Sequence, residues 1–501
     1  CGTESDGTRV LDLNDFLAVA NVAVGNPETC AGTPIPGRGP LATNRVEVSG
    51  VLTGTINWTK NNVYQLNGLV RVADGATLKI EAGTRIEGNS AVNPSALYVE
   101  RGAAIFAVGT QNEPIVFTCT GTKVPGCWGG VWISGKSTVN TPNSTIGQSP
   151  AFAARTGPDA PVPADAGGCN QQVAEAGAAP NYGGCTPNDN SGRLSYVRFE
   201  YGGFIVAPNR ELNNLTLAGV GSGTQVDHIY VHGCSDDGLA FFGGTVNVRH
   251  VVITANNDDG FDGSAGYTGR AQFVIIQNDA GDVSSGADSR AIEMDNWDSS
   301  NQNLPRTAPQ MYNFTIIGNL VNRASTAAIM LRRGTGPTLA NSIVDGWPAA
   351  VSLRDAFTCS GFGTGNPRVL STTFMDTPLA SPGDNASNPP PTCAPATGTG
   401  ADAESQFLSL ANGYRFRDPL TGPPIVLGID QTLLDGRNTL LPDWRMRPST
   451  PGGTQPIEGG VETVPAGLVQ TNYRGAVGVL AAGQIPWYSG WTRPFATATT
   501  P

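Results

Sequence analysis

The stretch HGCSDDGLAFFGG, His232 to Gly244, is followed by ITANNDDGFDG, Ile253 to Gly263, and the two Asp-Asp-Gly triplets lie 22 residues apart. Overlaid at that offset, His228 falls on His250, Ile229 on Val251 and Val231 on Ile253. Asp236 and Asp237 fall on Asp258 and Asp259, and Gly238 on Gly260. QFVIIQNDAGD carries the apolar positions once more, through Val274 and Ile276. A period of about 22 residues, with alternating apolar positions and Gly/Asn/Asp corners, predicts a β-solenoid. One such coil cannot bury its inner face alone, whereas stacked coils share a continuous core. Alternation assigns Ile229, Val231, Val251, Ile253, Val274 and Ile276 to that core. It assigns His228, Tyr230, His250 and Val252 to an outer face.

Further rungs are legible in GLVRVADGATLKIEAGTRIEG, ALYVERGAAIFAVGTQNEPIVFT, RLSYVRFEYGG, LNNLTLAGV, MYNFTIIGNLV, AAIMLRRG and LANSIVDGW. Coils are therefore expected over residues 61–375, interrupted by a Gly/Pro/Asn-rich loop insertion at 137–192. Residues 1–60 read as a flexible tether and an N-terminal cap with a short helix in LDLNDFLAVANVAV. Residues 376–501 read as a second loop insertion, a short helix in AESQFLSLANGY, and an extension laid back over the coils. The 65 Gly and 37 Pro suit a turn-rich all-β chain, and 39% hydrophobic with 14% charged residues is enough to bury a core. A net charge of −11 without a Lys/Arg stripe gives the wrong field for nucleic acid or anionic lipid. No apolar run is long enough to span a bilayer.

Of the nine cysteines, three pairs bracket short polar loops: Cys119 with Cys127, Cys169 with Cys185, and Cys359 with Cys393. These are expected disulfides of an oxidising compartment. Cys30 and Cys234 either pair at long range or stay free. The remaining Cys1, followed by the polar run GTESDGTR, resembles the processed N-terminus of a bacterial lipoprotein. That resemblance implies lipidation at Cys1 as the only membrane attachment.

The repeated Asp-Asp-Gly admits three readings. As a corner, it stacks carboxylates about 5 Å apart, with Asp accepting backbone N–H groups and Gly taking a positive φ. As a metal site, Asp236, Asp237, Asp258, Asp259 and Asp262 would hold Ca²⁺ and so relieve their mutual repulsion, a task Arg249 or Arg270 could also perform. As a catalytic site, Asp236, Asp258, Glu293 and Asp295 would work on a glycan, joined by the stacked pair His228 and His250. Tyr201, Phe241, Phe242, Tyr267 and Trp297 are candidates to stack on sugar rings, with a core role favoured for Phe241 or Phe242. RRGTGP, Arg332 to Pro337, reads as a coil corner.

VADGATLKIEAGTRI, WGGVWISGK, LSYVRFEYGG, SDDGLAFFGGTVNVRHVVIT, DDGFDGSAGYTG, MLRRGTG and WYSGWT together resemble a group of secreted bacterial right-handed parallel β-helix proteins. Many are lipoproteins at Gram-negative cell surfaces, so the resemblance implies that fold and a lipid-anchored place at the outer membrane. It implies no activity. The Asn-Thr-Asp, Gly-His-Gly and Arg-Ile-Lys motifs of galacturonase-like hydrolases are absent, as is a pectate-lyase arginine pattern. Three roles stay open: a surface binding or structural module for a glycan or an outer-membrane protein, a lyase or hydrolase of acidic polysaccharide, and a homo-oligomer assembling into a surface layer or filament.

Overall fold

Ile229, Val231, Val251, Ile253, Val274 and Ile276 are all buried, in one hydrophobic cluster that runs from Val48 to Phe374. The computed structural model describes residues 2–3, 9–10, 42–140, 172–173, 181–207, 210–277, 289–297, 301–318, 327–347, 350–363, 367–375, 415–416, 460–478 and 486–492. Cys1, Cys30, Cys169, Cys393 and both expected helices lie outside these residues.

The chain winds as a right-handed parallel β-helix, the hand that twisted parallel strands favour. Its rungs form two sheets, a short one of ten strands and a long one of 17. The 22-residue offset is the register itself: Ile229 pairs with Val251, and Leu239 with Phe261, as neighbours on adjacent rungs. Parallel pairing begins with Asn44–Val48 on Asn62–Leu66 and Thr55–Trp58 on Thr77–Ile80. These strands precede residue 61, where coils were expected to start. Val46 and Ile56 are only half-buried and no Asp-Asp-Gly marks their corner, so the repeat is faint there.

In the long sheet each central rung bends at one residue of positive φ. Tyr196, His228, His250, Phe273 and Asn313 occupy this position, at φ between 52° and 59°. The bend resets alternation, so Val226 and Ile229 both face inward although three positions apart. Tyr230 and Val252 do point outward, but they are not exposed. With Ile275, Ile317 and Ile343 they are covered by Ala476, Val477, Tyr488 and Trp491 of a C-terminal strap, residues 460–478 and 486–492. The strap backbone is read by side-chain amides of the coils. Gln272 donates to Val469 O at 2.7 Å and accepts from Val469 N at 2.8 Å. Asn341 does the same with Glu462, at 3.0 and 2.6 Å.

The ends of the 137–192 insertion are anchored: Asn140 N donates to Ala265 O, and Gly183 N to Gly135 O. One α-helix, Ala356–Gly363, was not legible in the sequence, and Asp355 caps it by accepting from Thr358 N and Thr358 Oγ1. Cys119 and Cys127 form a disulfide across a Cα–Cα distance of 6.0 Å. Cys185 and Cys359 are also disulfide-bonded, while Cys234 is a buried free thiol.

Candidate functional site: a carboxylate face on the short sheet

The Asp-Asp-Gly corners lead directly into the short-sheet strands Leu239–Phe242 and Phe261–Ser264. Their inward residues Leu239, Phe241 and Phe261 fill the core, and this fixes the residues between them outward. One outward row runs Trp132, Thr216, Ala240, Asp262, Glu293, Met330 on successive rungs. A neighbouring row carries Asp295 and, one rung on, Arg332, whose N–H donates to Met294 O.

Corner and rows together gather Asp236, Asp237, Asp258, Asp259, Asp262, Glu293 and Asp295. The carboxylates form two triads, Asp236–Asp237–Asp258 and Asp259–Asp262–Glu293, each with oxygens within 4.8 Å of one another. The expected five-residue calcium set is therefore split between two clusters, and Glu293 joins the second.

Part of the corner's role is structural, as read from the sequence. Asn213 Oδ1 accepts from Asp237 N at 3.1 Å, and Asp237 Oδ1 accepts from Asp259 N at 3.2 Å, so each side chain ties down the next rung. The glycines act differently from expectation. Gly238 and Gly260 are absent from the positive-φ positions. They are needed because a Cβ at Gly238 would sit 2.8 Å from Ile253 Cγ2, and one at Gly260 2.8 Å from Ile276 Cγ2. Close approach to the core, not handedness, excludes a side chain there.

The electrostatics are costly. Burial, followed by the charges of Asp236, Asp262 and Asp258, pushes the Asp237 carboxyl well above the ordinary range. Burial and Glu293 do the same to Asp259 and Asp262. Burial and Asp295 push Glu293 up to about 8, against the pull of Arg332. Neutralisation falls to Arg332 and Arg333 rather than to Arg249 or Arg270. Arg332 Nε donates to Asp295 Oδ1 at 2.6 Å and Nη2 to Glu293 Oε1, and Arg333 Nη1 donates to Asp295 Oδ2 at 2.5 Å. Arg249 pairs with Asp227, and Arg270 meets Gln310. Both arginines were missed in RRGTGP, although laying AIMLR over AIEMD places Arg332 directly above Asp295.

His228 and His250 are not part of this face. The later halves of the strands Gln225–His232 and Asn247–Thr254, about 13 Å of extended chain, separate them from the corners. Their rings stack at 4.5 Å between Tyr196 and Phe273, against Trp487 and Trp491. Both Nδ1 atoms approach Asp227 Oδ1, at 2.9 and 2.8 Å, so His228, His250 and Asp227 bring three potential ligand atoms within 4.8 Å of one another. Burial would raise the Asp227 carboxyl, but the two imidazoles hold it far below the usual range. His250 is lowered by burial, which Asp227 only partly offsets.

Among the aromatics proposed for sugar stacking, Phe241 and Tyr267 are fully buried core, and Tyr201 is buried in the same cluster with its ring against His232. Phe242 is half-buried against Trp132, and Trp297 is half-buried.

A right-handed β-helix with acids and arginines gathered at the corners and on the outward face of its short sheet defines the class of protein. The family model described as "Pectate-lyase like beta helix domain" matches residues 50–415, well over half of the 501-residue chain. The chain belongs to this pectate-lyase-like β-helix family. No curated protein and no solved structure matches it.

Proposed function

We propose that the chain captures acidic polysaccharide on the outward face of the short sheet and cleaves it there. The observation that carries this reading is the gathering of seven carboxylates with Arg332 and Arg333 on adjacent rungs and at their corners in a pectate-lyase-like β-helix. Asp262 and Glu293 stand on strands, which hold such groups more rigidly than loops do, and rung spacing repeats along an extended polymer. Arg333, about one-third exposed, supplies a planar donor suited to a uronate carboxylate. The Cys119–Cys127 disulfide supports work in an oxidising compartment, where such polymers occur.

The test incubates the full chain with polygalacturonate and alginate, with and without Ca²⁺. New reducing ends with the ultraviolet absorbance of unsaturated uronate identify a lyase, and reducing ends alone a hydrolase. Either activity should be lost in Arg333→Ala with the fold intact by circular dichroism. Binding without cleavage reduces the role to capture. Neither binding nor cleavage of any acidic polymer overturns the reading.

A further inference from the structure

We propose that His228, His250 and Asp227 form a seat for one divalent cation of the zinc class, which clips together two adjacent rungs of the long sheet. The seat is separated from the carboxylate corners by about 13 Å of strand and is independent of the polysaccharide reading.

The first observation is convergence. His228 and His250 occupy the bend of successive rungs, at φ of 57° and 55°. A ring nitrogen from each and an oxygen of Asp227 lie within 4.8 Å of one another. Both Nδ1 atoms come to the same oxygen, Oδ1, at 2.9 and 2.8 Å. Arg249 Nη2 takes the other oxygen, Oδ2, at 3.3 Å, which leaves Oδ1 facing the imidazoles. The rings are held in place: Tyr196 stacks on His228, Phe273 on His250, and Trp487 and Trp491 close against them. Donors fixed in this way lose little freedom when a cation enters.

The second observation is a nitrogen left over. His250 Nδ1 is hydrogen-bonded to Asp227 Oδ1. His228 Nδ1 is buried at nearly the same distance, yet that contact lacks hydrogen-bond geometry, and the nitrogen has no hydrogen-bond partner among the described residues. A buried polar nitrogen without a partner is costly. A cation that displaces the proton between His250 and Asp227 would engage both nitrogens and the oxygen together.

The donor set selects the metal. Two imidazoles and one carboxylate suit zinc, whereas Ca²⁺ and Mg²⁺ take oxygen ligands. Zinc holds nitrogen and oxygen at about 2.0–2.2 Å, so two donors on a tetrahedral ion stand roughly 3.3 Å apart. The contacts at 2.8 and 2.9 Å need to open by only about half an ångström. Asp227, with 29% of its side chain exposed, gives the ion a way in and room for water as a fourth ligand.

The experiment titrates ZnCl₂ into the full chain after chelator treatment, by isothermal calorimetry in excess Mg²⁺, with thermal unfolding alongside. Mg²⁺ occupies exposed carboxylates and leaves imidazoles free. A saturable zinc site and a higher unfolding midpoint in zinc are expected. The next rung already carries Phe273 at this bend, at φ 59°, so His250→Phe keeps a stacked ring and removes the nitrogen. It should weaken zinc binding about a hundredfold or more, beyond the loss that outer-shell changes cause, and abolish the midpoint rise. Should His250→Phe not fold, His228→Tyr carries the same expectation, since Tyr196 stands at the bend one rung earlier. His232→Gln should keep wild-type affinity, because His232 Nδ1 meets Thr254 Oγ1 outside the cluster. Absence of heat and of a midpoint shift in wild type overturns the seat. So does wild-type affinity in folded His250→Phe, or a loss in His232→Gln as large as that in His250→Phe.

Discussion

Two columns of polar residues climb the same coils and meet opposite fates. On the long sheet, His228 and His250 stack between aromatic rings, share the Asp227 carboxylate, and lie under Trp487 and Trp491. On the short sheet, carboxylates stack on carboxylates, and Arg332 and Arg333 pair with Glu293 and Asp295. A solenoid forces identical positions one strand spacing apart. The first column turns that proximity into stacking and hydrogen bonds. The second leaves like charges side by side, a condition that a packed protein retains at a cost in stability.

The sharpest break of this contrast is Trp491→Ala. Its indole is fully buried over Tyr196 and His228, so truncation should cost about 3–5 kcal/mol and free the strap. Limited proteolysis within residues 460–492, with the coils still intact, would show that the cover has been lost. Gly260→Ala should cost about 1–3 kcal/mol in urea unfolding, because its Cβ would crowd Ile276 and Ala291 O. A neutral result there would mean the corner has slack that the geometry denies.

The two columns should also answer pH in opposite directions. In chelator, Glu293 has a folded pKa of about 8, above its ordinary 4.5. The folded state then holds the proton more tightly, so this contribution to stability is full below the ordinary value and is lost as pH rises towards 8. Thermal midpoints in EGTA should fall across that window in wild type and less so in Glu293→Gln. Asp227 has the opposite sign. Its carboxyl is depressed, so its contribution is present above the ordinary 3.8 and is lost as pH falls below it. The smallest effect expected is therefore that of Asp227→Asn. It should lower the unfolding free energy near neutrality by about 1 kcal/mol, a gap that closes in acid and can be followed by Trp fluorescence.

The repeat made the coil register legible because Ile229 and Val251 occupy equivalent positions at one fixed offset. It also placed the two Asp-Asp-Gly corners on top of each other. Glu293 pairs with Asp262 across a segment longer than the repeat, so counting by 22 could not join them. Arg332 lies one rung beyond Asp295 but 37 positions later in the chain, and only tertiary stacking makes them neighbours. The left-handed bends at His228 and Phe273 were hidden for a different reason. Phe does not signal positive φ, and His, although enriched there, still adopts it in only a minority of cases. The strap was legible as extended chain over the coils, but the partners that hold it, Gln272 and Asn341, looked like ordinary surface amides.

That strap also has a mechanical consequence. Apart from the chain that winds through them, rungs adhere to one another through hydrogen bonds and side-chain packing, a weak arrangement against a pull along the rod. Glu462 holds the rung of Asn341, Val469 that of Gln272, Trp491 packs on the rung of His228, and Ser489 O accepts from Gln111 near the far end. The two described segments of the strap are thus each fastened to more than one rung, like clamps across a column of bricks. Load applied between the clamped rungs is shared with peptide bonds, so stretching the rod must first strip its fastenings one by one.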